Sequence, residues 1–84
     1  MTPQHLSAEK RRALEILAAA GRKGVSDATL LAHGFLPEML AGLVLAGLAT
    51  AVTETIGPPI KIVRHRITAA GRKAIEELRG DDAP

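Results

Sequence analysis

The spacing of apolar residues in this 84-residue chain changes at Leu48 and again near Thr68, and these two changes limit the folds it can adopt. Before Leu48 the apolar residues recur at helical spacing. From Leu48 to Ile67 β-branched residues dominate, which is typical of strands, and helical spacing then returns. The pattern predicts an α+β fold, mainly α with a small β-hairpin, in the order helix, helix, helix, strand, strand, helix.

Two helices are predicted before residue 34. Ser7 is suited to cap the first, which ends at Gly21 and has an apolar stripe of Ala13, Leu14, Leu17 and Ala18. A basic turn, Gly21 to Gly24, follows. Ser26 is suited to cap the second helix, in which Leu30 and Leu31 are expected to face inward up to His33.

A third helix is predicted from Pro37 to Ala46, because proline fits the first turn of a helix and Gly47 fits the position just after its end. A hairpin follows, with a turn at Gly57-Pro58-Pro59 and a second strand at Ile60–Ile67. A two-stranded hairpin is only marginally stable alone, so it is expected to lie on the helices and bury Val52, Ile56 and part of the second strand. Thr68 is suited to cap a last helix with a buried stripe of Ala74, Ile75 and Leu78.

Length and composition exclude several classes of protein. One domain, residues 1–80, and a flexible acidic tail, residues 81–84, are expected, and such a chain is too short for a substrate cleft between two lobes. We therefore expect no enzymatic activity. Without cysteine there is no thiolate nucleophile and no cysteine-ligated zinc, and a reducing, cytoplasmic setting is expected. No signal peptide or membrane-spanning segment is predicted.

Neither a metal nor a cofactor is predicted. The three histidines, His5, His33 and His65, are isolated and have no neighbouring ligand cluster. Ser7 and Ser26 are better explained as helix caps than as nucleophiles. Phe35 is the single aromatic residue, so the chain has no stacking platform for single-stranded nucleic acid.

The balance of charge permits an anionic partner. The formal net charge is +2, and without Asp81 and Asp82 the nine acidic residues fall to seven, against eleven basic ones. Basic residues from three separate segments are candidates for a phosphate-binding surface: Arg22, Lys23, Lys61, Arg64, Arg66, Arg72 and Lys73. The alternative, that they are ordinary solvated charges, stays open at this point.

The element order and three short signatures resemble the bacterial winged helix-turn-helix superfamily, in particular MarR-type regulators, over about residues 8–79. The segment Leu43 to Ala49 is similar to the end of a recognition helix and its Gly-Leu step into the first strand of the wing. The segment Arg66 to Arg72 is similar to the junction Leu-Thr-x-x-Gly-Arg that follows the wing. The basic strand with Lys61, Arg64 and Arg66 occupies the place where the family's wing touches the phosphate backbone.

This resemblance implies a dimeric regulator that binds double-stranded DNA. The expected contact residues are Arg22, Lys23, Glu38, Lys61, Arg64, Arg66 and Arg72. The chain departs from the family in its third helix, which is about one turn shorter than usual and has Glu38 as its only polar side chain. Direct base readout needs hydrogen-bonding side chains, so it is expected to be poor here.

The apolar third helix also favours an alternative function, protein association. A helix that is apolar nearly all round is normally buried nearly all round, which is hard to arrange in so small a domain. The face with Pro37, Ala41 and Leu45 is therefore a candidate interface, covered by the N-terminal segment, by a second copy in a homodimer, or by another protein.

Overall fold

The structure, a computed structural model, describes residues 7–57 and 59–81, with residues 78–81 described by their backbone alone. These residues form four α-helices and a three-stranded antiparallel sheet. A short 3-10 turn, Gly21–Lys23, follows the first helix. The elements in chain order are α1 (Ala8–Ala20), β1 (Val25–Ser26), α2 (Asp27–Ala32), α3 (Pro37–Leu45), β2 (Ala49–Gly57), β3 (Ile60–Ile67) and α4 (Ala69–Asp81).

The predicted helix caps are present. Ser7 Oγ accepts a hydrogen bond from the Lys10 N–H at 3.1 Å, and Ser26 Oγ accepts one from the Thr29 N–H at 3.2 Å. Thr68 Oγ1 accepts from the Gly71 N–H at 3.0 Å in the first turn of α4. Each bond satisfies a backbone donor that has no partner inside its helix. Proline also stands in the first turn of α3, as predicted.

The predicted hairpin is present, but the prediction of only two strands is wrong. β1 pairs antiparallel with β3, so the strand order in the sheet is β1-β3-β2. Val25 lies opposite His65, and Ser26 lies opposite Arg64. A strand of two residues is too short for a period to be recognised in the sequence.

An aliphatic core joins the helices to the base of the sheet. It includes Phe35, which is 2% exposed and lies beneath the Arg12 guanidinium, 5.3 Å from the ring centroid. Leu30 is fully buried as predicted, whereas Leu31 is 39% exposed, so its predicted inward position is wrong. The other buried apolar residues are Ala13, Leu14, Leu17, Leu40, Leu43, Leu48, Ala49, Ala74 and Ile75. Leu78, the third predicted residue of the α4 stripe, lies outside the described side chains.

The far end of the β2–β3 ribbon extends beyond the core, so the predicted burial of Val52 and Ile56 is wrong, whereas part of the second strand is buried as predicted, at His65. Val52 is 44% exposed, Ile56 59% and Ile60 60%. Only the base of the ribbon packs on the core, through Ala49 and Ile67. β-branched residues favour extended backbone whether or not they are buried, so their presence predicted the strands correctly and their burial incorrectly.

Candidate nucleic-acid interface

Strand β3 carries three of the predicted DNA-binding residues, and its alternation places them on two faces. His65 is 5% exposed and is hydrogen-bonded to Asp27 of α2 at 3.1 Å, so its face of the strand is turned toward the helices. Successive side chains of a strand point to opposite faces. Lys61 therefore shares the face of His65, whereas Arg64 and Arg66 stand on the other face.

Three of the predicted arginines line one open crevice, which we call the arginine crevice. Arg22 comes from the 3-10 turn, Arg66 from the end of β3 and Arg72 from the first turns of α4. Gly21 and Ile67 complete a space of about 440 Å³. All three arginine side chains are exposed, and none has an ion-pair partner within the described residues. The crevice thus concentrates positive charge from three separate segments.

Gly24 brings the 3-10 turn against β3. It has a φ of +69°, which favours glycine, and an added Cβ would meet the His65 carbonyl oxygen, as well as Arg66 Cγ at 2.8 Å. Because no side chain fits in that space, the segment that carries Arg22 can lie directly beside the strand that carries Arg66.

Gly71 brings α4 against the same end of the sheet. A Cβ at this position would meet the Leu48 carbonyl oxygen and would lie 2.7 Å from Ile67 Cγ1. Only a glycine allows α4 to approach the sheet so closely at this position. This approach sets the first turn of α4, and with it Arg72, beside the end of β3.

Arg64 is engaged within the ribbon. Its Nε donates to Glu54 Oε1 at 3.0 Å, and the two side chains are 29% and 39% exposed. The positive charge of Arg64 is therefore balanced by a carboxylate on the neighbouring strand. A phosphate contact by Arg64 would compete with this ion pair.

The other predicted contact residues lie outside the arginine crevice. Lys23 is exposed at the end of the 3-10 turn, next in sequence to Arg22. Lys61 lines a shallow depression with Asp27 and Leu31 of α2. Glu38 is exposed in the first turn of α3. The seven predicted residues thus do not form one continuous surface.

The candidate interface residues of α3 line a second groove, which we call the α3 groove. Leu45 is 88% exposed, and Pro37 and Ala41 are also exposed. The groove has a volume of about 450 Å³, and its other lining residues are Leu40, Val44, Ala51, Val63, Asp27 and His65. Its two ionisable residues, Asp27 and His65, are bonded to each other. The groove therefore suits an apolar occupant rather than phosphate.

The histidines have structural positions in the described part of the chain. His33 is the C-terminal cap of α2, as predicted, and its ring centroid lies 6.3 Å from that of Phe35. His5 lies outside the described residues. Across residues 7–57 and 59–77, no cluster of three or more His, Asp or Glu side chains is arranged to hold a metal ion.

Sequence reasoning missed the bond between His65 and Asp27. These residues are 38 positions apart and belong to a strand and a helix, so no local spacing relates them. The bond ties α2 to the sheet, and both of its residues line the α3 groove. The sequence offered one signal of an inward position for His65. The alternation of β3 places it on the face opposite Arg64 and Arg66.

Comparisons of the chain with models of known protein families, with curated proteins and with solved structures found no match. Within the described residues, each helix is too short or too polar to cross a membrane.

Proposed function

We propose that this chain is a winged helix-turn-helix protein that binds double-stranded DNA mainly through the phosphate backbone. The arginine crevice is the observation that carries the proposal. Guanidinium groups match phosphate in both charge and bidentate geometry. Three arginines converge in the crevice without an ion-pair partner in the described residues, and the exposed side chains of Lys23 and Lys73 extend the positive charge beside them in sequence.

The arrangement of the elements supports the same proposal. Helices α2 and α3 are separated by a short turn, and the ribbon and α4 follow in the order that the family resemblance implies. In this proposal α3 contributes little direct base readout. Its exposed residues, Pro37, Glu38, Ala41 and Leu45, offer a single polar group.

A salt titration tests the proposal. Binding of a labelled random duplex of about two helical turns is measured by fluorescence anisotropy between about 50 mM and about 200 mM salt. If about four phosphates are contacted, log affinity falls with log salt at a slope near −3.6. The double variant Arg66→Gln, Arg72→Gln removes two of these contacts, and its slope is expected to be about −1.8.

Lys61→Gln is the matched control for this experiment. It also removes a positive charge from β3, but from the face opposite Arg66, so the slope of the unmodified chain is expected to persist. A flat salt response would contradict the proposal. Because the control removes one charge and the double variant two, a slope reduced in the control by half as much as in the double variant would show that net charge matters and the arginine crevice does not.

The α3 groove favours a second candidate function, association with another protein chain through Pro37, Ala41 and Leu45. The observation behind it is the 88% exposure of Leu45 beside a groove lined mostly by apolar side chains. Leu45→Glu would place a charge there and is expected to abolish this association. The DNA affinity set by the arginine crevice is expected to change little. An association that survives Leu45→Glu would exclude this candidate.

A further inference from the structure

Strand β2 is an edge of the sheet that the described residues form, and we propose that it pairs antiparallel with β2 of a second copy of this chain. The strand spans Ala49–Gly57 and has a neighbour, β3, on one side. No described residue other than those of β3 makes a backbone hydrogen bond to residues 50–57. A row of backbone donors and acceptors is therefore available along the other side.

From Ala49 to Thr55 this edge lacks the lysine, proline and bulges that usually block pairing between chains. Natural edge strands are protected by lysine, proline, short length or bulges. β2 contains no lysine, arginine or proline, and the opposite edge, β1, has only two residues. An irregularity between Thr55 and Gly57 interrupts the register near the tip, so the regular stretch runs from Ala49 to Thr55.

The charge of the edge is also neutralised. Glu54 is the single ionisable residue of β2, and its carboxylate accepts a hydrogen bond from Arg64 of β3 at 3.0 Å. Two copies can therefore approach along β2 without bringing unbalanced carboxylates together. The exposed residues Val52, Thr53 and Thr55 are strand formers, which favour an extended partner.

A second copy matches this edge better than a nucleic acid does. An extended strand offers a backbone row of donors and acceptors, and the second copy presents the same free strand. Antiparallel pairing about a two-fold axis uses one surface of each copy against itself, which gives a closed dimer. Pairing over about seven residues buries less than the roughly 1,200 Å² of a stable interface, so the dimer is expected to be weak and concentration-dependent.

Sedimentation velocity on the full chain, free of nucleic acid, tests the pairing. Between about 5 and 500 µM the average mass is expected to rise from 8.8 kDa toward twice that value. Val52→Lys and Thr53→Lys each place a lysine on the edge, and each is expected to weaken association at least about tenfold. The matched controls Val52→Thr and Thr53→Val keep a neutral β-branched side chain and are expected to associate as the unmodified chain does.

Amide hydrogen exchange locates the interface independently of the variants. Raising the protein concentration is expected to slow exchange at outward-facing amides of residues 50–55, while the amides of α3 do not change. Circular dichroism identifies any lysine variant that is unfolded. If a variant is unfolded, the hydrogen-exchange result on the unmodified chain tests in its place whether β2 forms the interface. A monomer at every concentration would overturn the proposal. A dimer that resists both lysine variants but is lost in Leu45→Glu would also overturn it, because association would then use the α3 groove.

Discussion

Gly24 and Gly71 set two close contacts between backbone segments at the arginine crevice. They differ in conformation, because Gly24 has a positive φ and Gly71 lies in the helix α4. At Gly24 a larger residue would be unfavourable in both conformation and space. At Gly71 the space alone is limiting, because the Leu48 carbonyl and the Ile67 side chain leave no room for a methyl group. Gly71→Ala therefore tests packing at a position whose helical backbone alanine also adopts.

We predict that Gly71→Ala destabilises the protein by about 1–3 kcal/mol, although alanine favours helix. The added methyl group would press on the Leu48 carbonyl, and backbone cannot yield as a flexible side chain does. Gly42→Ala in α3 is the matched control, since a Cβ there meets nothing within 4 Å. It is expected to be neutral or to stabilise by up to about 1 kcal/mol. Urea unfolding monitored by circular dichroism measures both, and equal stability of the two variants would contradict the packing argument.

At the scale of elements, the features that could be predicted from the sequence are those set by local chemistry. Proline at the start of α3, the Ser7, Ser26 and Thr68 caps and the bounds of β3 all follow from residues within a few positions of one another. β1 could not be predicted, because its two residues form a strand only by pairing with residues about 40 positions away. The described core positions of α1, α2 and α4 were predicted well, apart from Leu31, whereas the sequence did not single out the buried Leu40 and Leu43 of α3.

The candidate site was predictable in part for the same reason. Arg22, Arg66 and Arg72 were chosen for their charge, and the fold brings them together. The separation of Lys61 from Arg64 and Arg66 follows from strand alternation, which the sequence already contains. The ion pair between Arg64 and Glu54 depends on the register of the hairpin, which the length and type of its turn determine.

Thr68 joins two elements, because its hydroxyl makes two hydrogen bonds. Oγ1 accepts from the Gly71 N–H in α4 and donates to the Gly47 carbonyl oxygen at 2.7 Å, just after α3. We predict that Thr68→Val, which has a similar shape but no hydroxyl, lowers the free energy of unfolding by about 1–3 kcal/mol. Thr68→Ser keeps both bonds and is expected to lie within about 0.5 kcal/mol of the unmodified chain. Thermal and urea unfolding test this, and two equally stable variants would show that neither bond matters.

Across the whole molecule, charge and apolar surface are separated. The arginine crevice lies where the 3-10 turn, β3 and α4 meet, and Arg66 stands on the face of β3 opposite Val63 and His65. Those two residues line the α3 groove. A duplex bound at the arginine crevice would thus leave the α3 groove free for an apolar partner. The edge of β2 adjoins the α3 groove through Ala51 but contributes no residue to the arginine crevice, so nucleic-acid binding and self-association need not compete for the same residues.

The proposed binding through the phosphate backbone leads to a last prediction, that the affinity for DNA depends little on its base sequence. Phosphate contacts position a protein on a duplex but do not distinguish bases, and α3 has Glu38 as its one exposed polar side chain. We therefore expect affinities for unrelated duplexes of equal length to differ by less than about tenfold, against the 10³-fold or more of specific binders. Competition by unlabelled duplexes measures this range.

Glu38→Gln tests the position of α3, because removal of a carboxylate raises the affinity for DNA only if that helix approaches phosphate. A preference of more than about 100-fold for one duplex, together with a change on Glu38→Gln, would assign base readout to α3 and contradict a backbone-dominated mode.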